Sequence, residues 1–357
     1  MIGIMDQTIG DDLKKAQPLC PHFGDCGGCA YQDLHYSDEL QLKEKFLRDL
    51  LGATMPISEN SWRPIVPSPK QYHYRHRIDL KLQRTKNGTL IGFTPKEGVG
   101  IIPVVNCAIA MESINERIPQ IKTEALAKIT EKHRLANLTI RTGSVGPVRW
   151  GGIGKHSMRM KEEEYFSTEI NGRRLYFALE TFFQANLSIL PALIDEIRQL
   201  PIWSAQTRLF DLYGGVGLFS MNLYDLVKEA FLIEQVGASV VLARFNQVRL
   251  NAANVHILEG DVEEILPPLL GSTPGQDVAI IDPPRAGLSE RAIQLFTGAN
   301  AFRHLLYLSC NPLSLQRDLD LLIKEGWTLE RIQPFDFFPK TKHIETLVLM
   351  ERTYGKK

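Results

Sequence analysis

The chain has 357 residues, 44% of them hydrophobic, which is more than one core usually holds, so two domains are the first expectation. Lys plus Arg equals Asp plus Glu at 41 each, which excludes a global basic charge as the means of attracting a polyanion and leaves only local patches. The opening MIGIMDQTIGDDLKK lacks a basic segment followed by an apolar one, and no apolar run is long enough to cross a bilayer. A cytoplasmic, monomeric protein without a membrane partner is expected.

Residues 20–32, CPHFGDCGGCAYQ, place Cys20, Cys26 and Cys29 within ten positions of a chain that has five cysteines. In a reducing compartment such a group reads as metal ligands. Zinc and iron-sulfur sites both take four ligands, and spacing alone leaves both open. His22 and His35 nearby read as packing or surface residues.

The stretch YSDELQLKEKFLRDLL, residues 36–51, spaces its apolar residues as one helix, with Ser37 as N-cap and Gly52 as stop. A Pro- and Ser-rich linker follows. Ile78, Leu80 and Leu82 then alternate with polar residues, and Asn87-Gly88 joins this strand to LIGF as a tight hairpin. A helix is expected near 111 to 133, and Asn171-Gly172 makes a second hairpin. Residues 70–86, KQYHYRHRIDLKLQRTK, interleave six Lys or Arg with Tyr72, His73, Tyr74 and His76. That composition suits looped or single-stranded RNA, through phosphate contacts and stacking.

Beyond about Phe182, helical stretches alternate with the short apolar runs RLFDLY, AFLIE, VHILE, VAIID, HLLYLSC and TLVLME. Such alternation predicts a doubly wound, largely parallel sheet. The turn after the first run carries Gly214, Gly215 and Gly217, which suits close approach of a nucleotide. Asp211, Glu234, Asp261 and Asp282 end four successive strands at the edge where such sheets bind ligands. DPPRAGL makes a stiff loop suited to a planar substrate rather than to hydride transfer. Cys310 ends the next strand as a candidate nucleophile.

Together DLYGGVGLFS, IIDPPRAGL, LSCNP and DFFPKTKHIETLVL resemble the bacterial RNA 5-methyluridine methyltransferases. CPHFGDCGGCAYQ resembles the iron-sulfur motif of the members that act on 23S rRNA. The resemblance runs from Cys20 to the C-terminus, with two departures. Gly214 stands where the family usually has cysteine, a change expected to be harmless, and the 19 residues before Cys20 are too few for the small N-terminal RNA-binding barrel of some members. The resemblance implies S-adenosylmethionine as cofactor, contacted by Gln184 of FFQAN, Tyr213, Glu234 and Asp282. It implies Cys310 as nucleophile and Glu345 as base. It places a fourth cluster ligand after a β-hairpin, where Cys107 lies, the one cysteine left once Cys310 is assigned to catalysis. A 4Fe-4S cluster is expected in preference to zinc, because the thiols do not form two separated C-x-x-C pairs.

The fold class expected is thus α/β: a methyltransferase domain at 181–357 and an antiparallel β-rich domain at 1–180 that carries the iron-sulfur site and binds RNA, with helix 36–51 packing on the catalytic part. The activity expected is methylation of carbon 5 of a uridine, in 23S rRNA rather than tRNA. Carbon 5 of uracil is a poor nucleophile, so a thiolate must first add to carbon 6, and a base must later remove the carbon-5 proton. The target base must leave its stack to reach such a pocket. Cytosine is disfavoured as target because arginine, not cysteine, follows Pro283 and Pro284. A non-catalytic iron-sulfur RNA-binding protein is the remaining alternative, and joint retention of Asp282, Cys310 and Glu345 argues against it.

Overall fold

The computed structural model describes residues 13–130, 132–152, 161–270, 277–298 and 302–352. Helix α1 spans Tyr36–Gly52. Its N-cap is His35 and no side chain caps it, so the cap expected at Ser37 is displaced by two residues. A five-stranded antiparallel sheet follows, built from β1 (Arg77–Thr85), β2 (Gly88–Phe93), β3 (Ile102–Pro103), β4 (Leu135–Arg141) and β5 (Arg149–Gly152) in the order β3-β2-β1-β4-β5. Helix α2 (Glu112–Lys128) lays Ile114, Ile118 and Ile121 on Ile78, Leu80, Leu82, Leu138 and Ile140. The alternation in β1 therefore faces the core as its sequence implies. Thr85 pairs with Gly88, so Lys86 and Asn87 form the first hairpin turn and Gly88 opens the next strand. In the ribbon of β6 (Phe166–Ile170) and β7 (Arg173–Phe177), Ile170 pairs with Arg173 across Asn171 and Gly172. Both turn residues have positive φ, 50° and 79°, as a type I′ turn requires.

The second sheet has seven strands: β8 (Arg208–Leu212), β9 (Glu229–Glu234), β10 (Val255–Glu259), β11 (Asp277–Ile281), β12 (Phe302–Ser309), β13 (Trp327–Phe335) and β14 (Glu345–Arg352), ordered β10-β9-β8-β11-β12-β14-β13. The first five are parallel, and β14 runs antiparallel to both its neighbours. The intervening helices are α3 (Leu190–Arg198), α4 (Ser220–Leu223), α5 (Gly237–Arg249), α6 (Val262–Ile265), α7 (Glu290–Gly298) and α8 (Pro312–Lys324). Side chains alternate between two cores. Leu209, Val278, Ile280, Leu306 and Leu347 face one, with Leu193 and Leu242 from α3 and α5. Phe210, Ala279, Ile281, Leu305 and Val348 face the other, with Leu315 and Leu319 of α8 and Leu47 and Leu51 of α1. Strands covered on both faces read as unbroken apolar runs, which is why they stand out in the sequence.

Strand β13 was not among the expected strands. Its sequence, WTLERIQPF, mixes charges with Pro334 and shifts register between Leu329 and Arg331. Such a strand is tolerated at a sheet edge. That edge is covered in turn, because Trp62 and Val66 form bridges to Ile332 and Phe335.

Candidate active site

The parallel strands deliver their C-terminal ends to one edge of the sheet. At the end of β8 the chain turns through Tyr213, which holds a left-handed φ of 61°, and then through Gly215 at 55° and Gly217 at 94°. A left-handed aromatic residue is costly and is retained where the surroundings fix it, commonly at ligand sites. A Cβ added at Gly214 would lie 2.6 Å from Leu232 Cγ. A cysteine there would force a neighbour to shift, so the departure at Gly214 fits this chain's own packing.

Glu234, at the end of β9, accepts hydrogen bonds from the Gly215 N–H at 2.9 Å and the Val236 N–H at 2.7 Å. Gln184, buried at 4% exposure, donates from Nε2 to Asp282 Oδ2 at 2.9 Å. Gln184, Tyr213, Gly214, Gly215 and Asp282 line one narrow cavity of about 30 Å³, together with Phe182. Phe182 is 65% exposed. The four residues expected to hold a nucleotide thus lie around one glycine turn. Asp261 caps α6, accepting from the Glu263 N–H at 2.9 Å, and its charge acts on Tyr213.

Asp211 was expected at the ligand edge, but it is buried and accepts from Ser220 N and Oγ at 2.9 and 2.6 Å, leaving Oδ1 without a partner. Burial and nearby Glu234 push its carboxyl up to about 7, against the Ser220 bonds. Burial and then Asp211 push Asp282 up to about 7, against the Gln184 bond.

Cys310 follows β12 directly and precedes Asn311, the N-cap of α8. Burial, then Glu345, then Asp282 push its thiol up to about 11, while the charge of nearby Arg285 acts in the opposite direction. Glu345 begins β14 at 1% exposure, and its Oε1 has no hydrogen-bond partner. Burial, then Asp282, raise its carboxyl well above the usual range, opposed by Arg285. Asp282, Cys310 and Glu345 therefore form one electrostatic group, with Arg285 as its cation. In the sequence Arg285 argues only against cytosine, and nothing but its position in DPPR signals a place near the thiol.

The segment between β13 and β14 is pinned by charge. Lys43 Nζ donates to Glu39 Oε1 and Asp336 Oδ1, each at 2.8 Å, and to the Phe338 carbonyl at 3.1 Å. Lys340, at φ 67°, places Nζ 3.3 Å from Glu39 Oε2. His343 stands edge-on to Phe338 and is pushed down to about 4 by burial and by Arg285, Lys43 and Arg75.

Cys20, Cys26, Cys29 and Cys107 line a single cavity of about 180 Å³, with His22 and Arg75 also in its wall. The loop that carries the first three is tied to the β2–β3 connection by the Gly27 N–H to Thr94 carbonyl bond at 3.2 Å and the Lys96 N–H to Asp25 carbonyl bond at 2.6 Å. Cys107 is fixed by Asn115, which accepts from its N–H at 2.8 Å and donates to its carbonyl at 3.1 Å. Burial raises Cys29 to about 12 and also raises Cys26 and Cys107. Among the described residues no group of three or more His, Cys, Asp and Glu side chains is arranged to hold a metal ion. The cysteines thus share a cavity without converging on one point.

In the strip expected to meet RNA, residues 70–86, Lys70, Lys81 and Lys86 are exposed and Tyr72, His73, Arg75, Arg77 and Arg84 are half-buried, whereas Tyr74 and His76 turn inward. Tyr74 is buried and donates from its hydroxyl to the Pro339 carbonyl at 3.0 Å. His76 is buried between the carbonyls of Thr142 and Gln184, at 2.9 and 3.0 Å. Burial lowers it to about 3. Sequence shows the basic and aromatic content of the strip but not that Pro339 and Gln184 take up Tyr74 and His76.

Comparison with known proteins fixes the family. Residues 154–353 match the family model described as tRNA (Uracil-5-)-methyltransferase. The chain belongs to that family. It is an RNA uracil-5-methyltransferase. The chain is similar to an uncharacterized RNA methyltransferase of Aquifex aeolicus (strain VF5), 28% identical over 96% of this chain and 85% of the relative. A 23S rRNA (uracil(1939)-C(5))-methyltransferase of Aliivibrio fischeri (strain ATCC 700601 / ES114) is 25% identical over 95% of this chain and 83% of the relative. The solved Pyrococcus abyssi tRNA (uracil-54, C5)-methyltransferase in complex with S-adenosyl-L-homocysteine shares the fold, with a TM-score of 0.70 at 24% identity over 90% of this chain and 85% of that one. No helix among the described residues is long and apolar enough to cross a membrane.

Proposed function

We propose that this uracil-5-methyltransferase uses S-adenosylmethionine and works through a covalent bond between Cys310 and carbon 6 of the target uracil, with 23S rRNA as substrate. The observation that carries the covalent reading is the grouping of Cys310, Glu345 and Asp282 around Arg285 at the ligand edge of the sheet. S-adenosylmethionine, when bound, supplies the methyl group. Gln184, Tyr213, Glu234 and Asp282 hold it: Glu234 accepts from ribose hydroxyls, and the glycine turn allows close approach. The unpartnered Oδ1 of Asp211 beside Asp282 is a polar atom that a bound ligand can satisfy directly or through water.

The Cys310 thiolate adds to carbon 6, forming the S–C bond, and the displaced π electrons make an enolate whose carbon 5 would take the methyl group as the donor's S–CH3 bond breaks and S-adenosylhomocysteine leaves. Glu345 then removes the carbon-5 proton, the electrons of that C–H bond restore the C5–C6 double bond, and the thiolate leaves. Asp282, bridged to Gln184, orients the base edge as well as the cofactor.

Cys20, Cys26, Cys29 and Cys107 would hold a 4Fe-4S cluster. A zinc ion would draw four sulfurs to about 2.3 Å from one point, whereas a cluster stands between its thiolates and needs the room of a cavity such as the one they line. Division of the chain near residue 180, into an iron-sulfur and RNA-binding part and a methyltransferase part, belongs to the same proposal, although α1 packs on the methyltransferase sheet. The tRNA reading is favoured by the name of the structural neighbour, and the 23S rRNA reading by the names of relatives aligned over nearly the whole chain. Mapping 5-methyluridine in RNA from cells with and without the gene tests both. Loss from 23S rRNA supports the proposal, and loss from tRNA alone overturns it.

A further inference from the structure

We propose that Arg141 is a positioning residue for the cofactor, whose guanidinium holds the turn at 178–181 so that Gln184, three residues beyond it, reaches Asp282. The proposal rests on the reading of Gln184 and Asp282 as cofactor contacts, and it gives a residue of the antiparallel sheet a part in a pocket built by the parallel one. Arg141 ends β4, pairs with Arg77 of β1 and is fully buried. Among the described residues it makes no ion pair. Burial and nearby Arg77 pull it down to about 9, and Asp79 and Glu180 act on it only from a distance. Its Nη1 donates to the carbonyls of Ala178 and Thr181 at 2.6 and 2.5 Å, while Nε and Nη2 have no partner. The polar reach of the whole group is thus directed at two carbonyls. A buried cation without a carboxylate is costly, and a charged donor holds its acceptor more strongly than a neutral one.

Those carbonyls are the two ends of one turn. Thr181 closes the turn on itself, because its Oγ1 accepts from the Ala178 N–H at 3.0 Å and donates to the Ala178 carbonyl at 3.2 Å. The guanidinium also lies over the Phe177 ring, 4.6 Å from its centroid, and Phe177 stacks on Phe183 with centroids 4.5 Å apart and planes at 10°. Arg141 therefore grips the turn at both ends and, through the two rings, the residue next to Gln184.

A second hold on the segment is weaker. His76 stands edge-on to Phe177 and Phe183, with Nε2 3.0 Å from the Gln184 carbonyl and Nδ1 2.9 Å from the Thr142 carbonyl. Burial, with Arg141 beside it, keeps this ring neutral at pH 7, and a neutral imidazole has a single N–H for two carbonyls. The charged hold is Arg141's alone. From the segment so fixed, Gln184 donates to Asp282 Oδ2 at 2.9 Å, and both line the cavity at the glycine turn. A hydrogen bond weakens steeply outside a narrow range of length and angle. Release of the turn should therefore be felt first as a loose Gln184.

The test is calorimetric titration of the full chain with S-adenosylhomocysteine, each variant held below its unfolding transition. Arg141→Met keeps an apolar stem over Phe177 and loses both donors, so it should bind about tenfold more weakly, the worth of one hydrogen bond. Arg141→Lys, which keeps a charged donor, should recover at least half of that loss on a logarithmic scale. Gln184→Ala supplies the deciding comparison. If Arg141 acts through Gln184, the double variant Arg141→Met, Gln184→Ala should bind no more weakly than Gln184→Ala alone. A Met variant that binds like the wild type, however much stability it has lost, overturns the proposal. Losses that add in the double variant do so too, as does a Lys variant as weak as the Met one. Should the Met variant fail to fold, Arg141→Gln makes the same comparison. Wild-type affinity in Gln184→Ala marks a different failure, that of the cofactor-site reading itself, and the proposal falls with it.

Discussion

Ala30 donates its backbone N–H to the Lys340 carbonyl at 2.8 Å, so the loop that carries Cys26 and Cys29 is tied to the segment that leads into Glu345. The same carbonyl accepts from the Tyr31 N–H at 3.1 Å. Beneath it lie two cations and two carboxylates, Lys43 and Lys340 with Glu39 and Asp336, all buried. Tyr36 adds a hydroxyl to Asp336 at 2.8 Å.

Removing one member leaves buried charge uncompensated. Lys43→Met should cost about 3–5 kcal/mol, the usual cost of breaking a buried pair from one side, and lower the urea midpoint of the protein accordingly. Because Lys43 also holds the Phe338 carbonyl at 3.1 Å, activity should fall along with stability. A loss below about 1 kcal/mol would mean that Lys340 alone balances the group.

This network was not legible in the sequence. Helix α1 was readable from its apolar spacing, but Lys43 and Glu39 look like solvated helix charges until Asp336, 293 positions beyond Lys43, is folded against them. The parallel strands were legible because burial on both faces leaves an unbroken apolar run, as in VAII before Asp282. β13 was not, because an edge strand needs no such run. Chemistry followed the same rule. Cys310 and Asp282 stand out at strand ends and Glu345 only through the family resemblance, whereas Tyr74 and His76 were taken for surface residues because composition cannot show what covers a strand.

The cysteine cavity makes a chemical prediction. If Cys20, Cys26, Cys29 and Cys107 hold a cluster, Cys107→Ala should purify without iron, sulfide or brown colour, and should lose stability in residues 13–130, because metal binding is coupled to local folding. Stoichiometric zinc without iron in anaerobically purified wild type would replace the cluster with a single ion.

Asp282 gives stability a pH dependence of defined sign. Its carboxyl is pushed up to about 7 by burial and Asp211, against about 3.9 for an exposed aspartate. The native state thus binds more protons than the unfolded state between these values, and stability falls as pH rises through that window. Asp282→Asn removes this contribution, so its melting temperature should fall less than that of the wild type between pH 5.5 and 7.5. Asp211, raised to about 7 by burial and Glu234, keeps the slope from vanishing. An unchanged slope would show that Asp282 is ionised throughout.

Glu345→Gln separates two steps of the proposed reaction. The side chain is buried, with Oε1 unpartnered, and glutamine matches its shape, so the fold and Cys310 attack should survive. If the carboxylate acts only after the methyl group has moved, the variant should transfer the methyl and then stall, leaving protein joined covalently to methylated RNA. A general base contributes about a hundred- to ten-thousand-fold, so the adduct should persist as a denaturant-resistant shifted band that carries a methyl label. His343 is the neighbour able to substitute, since burial and the nearby cations push it down to about 4 and leave its ring neutral at pH 7. So low a value makes it a weak base, and the Glu345→Gln, His343→Ala double variant should lengthen the adduct's life only modestly. Release of methylated RNA by Glu345→Gln at the wild-type rate, with no labelled band, would make the carboxylate structural and move the proton abstraction elsewhere.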